Sequence, residues 1–77
     1  MKIPAISSKQ FRKLLEQFGC YFARQGATDH AIFVRETSVK KFAAPVQTGK
    51  KDLSPIYIKL VLKQLGFTSE EIKNIFR

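Results

Sequence analysis

The chain has one cysteine, one histidine and six acidic side chains among its 77 residues, and each scarcity excludes something. With Cys20 alone there is no partner for an intramolecular disulfide, as expected in a reducing compartment. One Cys and one His cannot furnish a Cys/His zinc centre, so neither a metal site nor a cofactor is expected. Chemistry that needs a pair of histidines is excluded on the same ground. No apolar run approaches the ~20 residues of a membrane span. The stretch Met1-Lys2-Ile3-Pro4-Ala5-Ile6 also lacks the apolar region of a signal peptide. A cytoplasmic protein without membrane association is therefore expected. Low-complexity tracts and internal repeats are absent as well.

The shortage of acids leaves 14 Lys and Arg largely unbalanced, for a formal net charge of +8 and a pI near 10.0. That balance favours a polyanionic partner, or an acidic protein. The cations are spread along the chain rather than gathered in a tail, so they belong to a folded surface. A hydrophobic fraction of 44% is enough for one core, and the length suits a single domain over 1–77. A chain this short hides only roughly 60–65% of its unfolded surface, so that core must be compact.

Local patterns give the order of elements. Residues 1–6 read as an extended lead-in. Ser7 or Ser8 can cap a helix over about residues 8–18, whose Phe11, Leu14, Leu15 and Phe18 recur at helical spacing and are assigned to the core. Gly19 ends it. Residues 20–25 read as a strand, with Cys20, Phe22 and Arg24 on one face and Tyr21, Ala23 and Gln25 on the other. Gly26-Ala27-Thr28-Asp29 reads as a turn, and residues 30–35 as a second strand. On this alternation Tyr21 and Phe33 fall on the face opposite Phe22, Ile32 and Val34, where they are free to stack bases or to meet a protein partner. A third strand is expected over residues 39–44, with Pro45 at its end or on an edge. After a basic loop holding Lys50 and Lys51, Ser54 and Pro55 open a second helix. Its Ile58, Val61, Leu62 and Leu65 form a stripe that Tyr57 and Leu60 widen, which predicts the most buried helix of the chain. Thr68 and Glu71 offer a capping box for a last short helix.

The order α-β-β-β-α predicts an α+β fold in which hairpins make a three-stranded antiparallel sheet and both helices cover one face of it. That is the layout of a double-stranded-RNA-binding domain.

The same residues carry a family resemblance. Leu14-Leu15 in the first helix, Gly19, Arg24-Gln25-Gly26, His30 followed by Ile32-Phe33, Pro45, and Leu62-Lys63-Gln64-Leu65-Gly66-Phe67 occur in the order and spacing of the HicA-type mRNA interferase toxins, which this chain resembles over nearly its whole length. Two departures stand out. The family's glycine lies almost directly before its histidine, whereas Ala27-Thr28-Asp29 intervenes here, and the family's usual second histidine is Ala31. The resemblance implies a double-stranded-RNA-binding-like fold, metal-independent endoribonuclease activity on mRNA, and neutralisation by a HicB-type antitoxin.

The residues can be weighed for that chemistry. Metal-free RNA cleavage needs a base for the 2′-OH, an acid for the leaving 5′-oxygen, and cations for the charge on phosphorus. An imidazole suits proton transfer near neutrality, and His30 is the only one, so it is the candidate catalytic residue. Arg24 and Gln25, just before the turn, are candidates to meet the RNA beside it. Lys41 on the third strand and Lys50 and Lys51 in the basic loop are candidate phosphate contacts. The plainer alternatives are a turn histidine without a role and lysines that only solvate the surface. Two other classes of function remain open: a non-catalytic RNA-binding module of the same fold, and a small adaptor for an acidic protein.

Overall fold

The computed structural model describes residues 3–76. Residues 1 and 2 of the expected lead-in lie outside the described residues. Six elements follow in the order α1 (Ser8–Gln17), β1 (Cys20–Gln25), β2 (His30–Glu36), β3 (Lys41–Gln47), α2 (Pro55–Gln64) and α3 (Ser69–Ile75). Each helix begins where the sequence supplies an oxygen to accept the free amide protons of the first turn. Ser7 accepts from Gln10, Ser54 from Tyr57 and Thr68 from Glu71, and both Gln10 and Glu71 reach back to complete capping boxes.

The strands form one antiparallel sheet in the order β1-β2-β3. Phe11 and Leu15 of α1, Ile58, Val61 and Leu62 of α2, and Ile72 of α3 share a single buried cluster with Cys20, Ala31, Phe33, Ala44 and Val46 of the sheet. Those strand residues occupy one face, so the helices cover that face and leave the other open. The α+β architecture and the double-stranded-RNA-binding-like layout agree with the expectation. Ile6 bridges to Leu53, and the buried Ser8 exchanges two hydrogen bonds with Lys50: its amide donates to the Lys50 carbonyl, and its hydroxyl accepts from the Lys50 amide. The loop after β3 is thus tied to the start of α1.

At the far end of the sheet, Arg35 locks β2 to the C-terminal helices. Its guanidinium donates to the Leu65 carbonyl and to Glu71, and it lies 4.1 Å from the centre of the Phe67 ring. Gly66, at φ +84°, turns the chain out of α2 directly against Phe42, where a Cβ would come within 2.6 Å of the ring.

Four expectations are corrected. The register shifts between Phe22 and Arg24, leaving Ala23 as a bulge, so Arg24 pairs with Ile32 on the open face instead of following Phe22 under the helices. Phe33 is 1% exposed and pairs with Phe22 on the helix face, while Tyr21 pairs with Val34 on the open face. The third strand runs over Lys41–Gln47 instead of 39–44, and Val39 lies in the preceding turn; Pro45 is on an edge strand as expected, but inside it, where one row of amides has no neighbour to bond. Finally, Phe18 and Leu60 are 43% and 55% exposed and belong to the surface. Phe18 is the C-cap of α1, where the helix has already begun to turn away.

Candidate functional site

The sheet end that carries the β1–β2 turn also receives the loop after β3 and the start of α1. Backbone hydrogen bonds fix the turn. The Gly26 amide donates to the His30 carbonyl at 3.0 Å, and the His30 amide to the Ala27 carbonyl at 2.9 Å. The Thr48 amide donates to the Asp29 carbonyl at 2.8 Å, which ties the basic loop to the residue beside the histidine. The three residues between Gly26 and His30 are therefore an ordered part of the hairpin, and His30 still opens β2.

His30 projects on the open face and pairs across the sheet with Gln47. Its Nδ1 is shut from solvent, so the exposure of its side chain falls on the other ring atoms. Asp29 Oδ1 lies 2.8 Å from Nδ1 but off the direction of an aligned hydrogen bond, which leaves a polar contact between the carboxylate and the ring. A pair as exposed as this adds little stability. A carboxylate there favours the tautomer with the proton on Nδ1, which keeps the Nε2 lone pair available to accept a proton.

The expected site residues separate into groups. Arg24, carried over by the bulge, is exposed on the same face as His30, one cross-strand position further along at Ile32. Gln25 is held to the turn: its side-chain amide donates to the Ala27 and Thr28 carbonyls at 3.1 and 3.3 Å. Lys50 and Lys51 are exposed in the loop that starts beside Asp29. Lys41 is elsewhere. It opens β3 opposite Glu36, six positions from Gln47, which at ~3.3 Å per residue is about 20 Å along the sheet.

The sequence reading missed Asp29, Gln47 and Tyr57. Asp29 was legible as a neighbour. Gln47 was hidden because β3 was expected to end before it. Tyr57 was taken for part of an apolar stripe, yet its hydroxyl meets the backbone of β3. Also missed was a groove of about 220 Å³ between α1 and the edge of β1, lined by Lys9, Arg12, Lys13, Glu16, Phe22 and Phe33. Among the described residues no three His, Cys, Asp or Glu side chains gather as a metal site, and no helix is long and apolar enough to cross a membrane.

A family model described as the HicA toxin of bacterial toxin–antitoxin systems matches residues 8–67. The chain belongs to the HicA toxin family. The match runs from the start of α1 through the turn after α2 and includes His30 and the basic loop. Membership in a HicA family implies an antitoxin partner. Comparison with curated proteins and with solved structures gives no match.

Proposed function

We propose that this HicA-family chain is a metal-independent endoribonuclease toxin that cleaves mRNA with His30 as its catalytic histidine and is neutralised by a HicB-type antitoxin. The observation that carries the reading is the placement of the only imidazole at a sheet end beside Arg24 and the Lys50–Lys51 loop, within the matched region.

His30 Nε2 takes the proton of a ribose 2′-OH, whose oxygen attacks the adjacent phosphorus. The bond to the 5′-oxygen breaks, and that oxygen takes a proton from water or from another side chain. A 2′,3′-cyclic phosphate and a 5′-OH end result. Arg24, Lys50 and Lys51 attract the RNA backbone and stabilise the charge that builds on the phosphoryl oxygens. Gln25 acts through the turn, holding the Ala27 and Thr28 carbonyls and so the entry to β2. Lys41 grips the backbone of RNA that runs on along the sheet.

The test is an RNA cleavage time course in EDTA with wild type and His30→Ala, after both show the same thermal unfolding. The variant should lose about 10²–10⁴-fold in rate while keeping RNA binding. Equal cleavage by the two proteins would remove His30 from the mechanism. Tight RNA binding without cleavage by wild type would favour the non-catalytic RNA-binding module.

A further inference from the structure

We propose that the groove between α1 and the edge of β1 is a nucleotide subsite, in which an unstacked base lies against Phe22 and its phosphate is held by Arg12 with Lys9 and Lys13. The inference rests on the reading above that RNA is the ligand, and it adds a site on the other face of the sheet from His30.

Lys9, Arg12 and Lys13 stand at i, i+3 and i+4 of α1 and so share one side of the helix. Glu16 is the one carboxylate lining the groove, and among the described residues no ion pair engages any of the three cations. Three cations against one carboxylate leave the groove net positive. The Nε of Arg12 is shut from solvent and has no hydrogen-bond partner, a costly state for a donor and one that favours a swing of the guanidinium toward an acceptor in the groove. An arginine fork suits phosphate oxygens.

The aromatic wall is the second feature. Phe22 lies on the helix face of the sheet, where Cys20 and Phe33 are buried, yet it is 50% exposed. Phe33 meets it edge-on, with ring centres 6.2 Å apart and planes at 73°, and so braces it from below. Its exposed surface is open to a flat ring. At about 220 Å³ the groove is smaller than the roughly 300–1,000 Å³ of sites for whole small molecules. It suits one unit of a polymer. A nucleotide supplies a flat ring and an anion in one unit, whereas a peptide needs an aromatic and an acidic residue at matching spacing to do the same.

The groove also stands in a useful relation to the candidate catalytic residue. Phe33 is three positions from His30 on β2, about 10 Å along the strand. An RNA strand that crosses the β1 edge with one nucleotide in the groove brings its neighbours toward the histidine. Such a contact is the same in ground and transition states, so it acts on KM and leaves kcat alone.

The experiment measures binding of a short single-stranded RNA oligonucleotide to the full chain carrying His30→Ala, which keeps the RNA whole. To that protein are added Phe22→Leu, which keeps an apolar side chain but loses the flat ring, or Arg12→Gln. Phe22→Leu should weaken binding about 5- to 100-fold, and the loss should vanish on an RNA with abasic linkers. Arg12→Gln should weaken binding and reduce the salt slope by about 0.7. In the background that retains His30, Phe22→Leu should raise KM with kcat unchanged. Should Arg12→Gln not fold, Phe22→Leu with the abasic control decides alone. Affinities within twofold of the parent for the variants, with the parent still binding and cleaving RNA, overturn the subsite and leave the ribonuclease reading standing. Weakened binding by the variants of a protein that retains His30 and never cleaves supports the subsite and sinks the ribonuclease reading. Unchanged RNA binding with loss of antitoxin binding overturns the subsite and makes the groove a protein contact.

Discussion

The hydroxyl of Tyr57 accepts the amide proton of Gln47 at 3.0 Å, joining α2 to the outer row of β3 directly across the sheet from His30. The same oxygen donates to the Pro45 carbonyl at 3.4 Å. Two backbone groups of an edge strand, one on each side of Val46, are thereby satisfied by one side chain. Tyr57→Phe should cost about 1 kcal/mol in denaturant unfolding, the usual net worth of such a bond. Hydrogen exchange at the Gln47 amide should accelerate at the same time. Unchanged stability with unchanged exchange would show that the contact holds nothing in place.

The lysines should divide by position. For Lys50→Ala and Lys51→Ala, a lost phosphate contact reduces the slope of log affinity against log salt by about 0.7–0.9 each, and cleavage of saturating RNA also slows. Lys41→Ala, at the other end of the sheet, should lower the slope similarly and leave the saturated rate unchanged. A fall in that rate for Lys41→Ala would mean that the active site extends further along β3 than His30 and its loop.

Cys20 should be silent in the folded protein. Burial pushes its thiol up to about 11, against a smaller opposing pull from Arg35. The thiolate is the reactive form, and it is scarce at neutral pH. Alkylation with iodoacetamide should therefore follow unfolding, with a rate that rises in step with added denaturant. Rapid labelling in native buffer would contradict this.

Acid should loosen the C-terminal helix. The Thr68 amide donates to Glu71 at 2.8 Å and, with help from Arg35, holds its carboxyl below the ordinary 4.5. A carboxylate whose value is lower in the folded state adds stability above its unfolded value, and that stability is lost as pH falls through the folded one. Glu71 is exposed enough for the effect to be small. Glu71→Gln, which keeps an oxygen for the capping box as Gln10 does in α1, should therefore flatten the fall of thermal stability below about pH 4.5, with little change at neutrality. An acid limb identical to that of wild type would assign the pH dependence to other carboxylates.

Much of this architecture was legible because its signals are local. Ser54-Pro55 and the Thr68–Glu71 box start helices where those residues stand, and the spacing of Phe11 and Leu15 names the buried side of α1. His30 could be found as the only imidazole, and the cations as charges. What escaped depended on register. Ala23 carries no glycine or proline to announce a bulge, so the alternation of Cys20 through Gln25 was read without a break. The faces of Tyr21 and Phe33 were therefore paired wrongly. The groove on α1 depends on how far that helix overhangs Phe22, which no spacing within either segment reveals.

The single unpaired Ala23 makes β1 a strand of two parities. Before it, Cys20 and Phe22 count as inward and Tyr21 as outward; after it, the count inverts and Arg24 becomes outward. One chain edge thereby serves two surfaces at adjacent positions, aromatic toward the helices and cationic toward the histidine. Pairing all six residues without that bulge would restore uniform alternation and, with Phe22 kept inward, turn Arg24 toward the buried face. The surface around His30 would lose a charge although no cation had been deleted from the sequence. For this strand register is itself a chemical variable, and a change of pairing alone is a charge mutation in disguise.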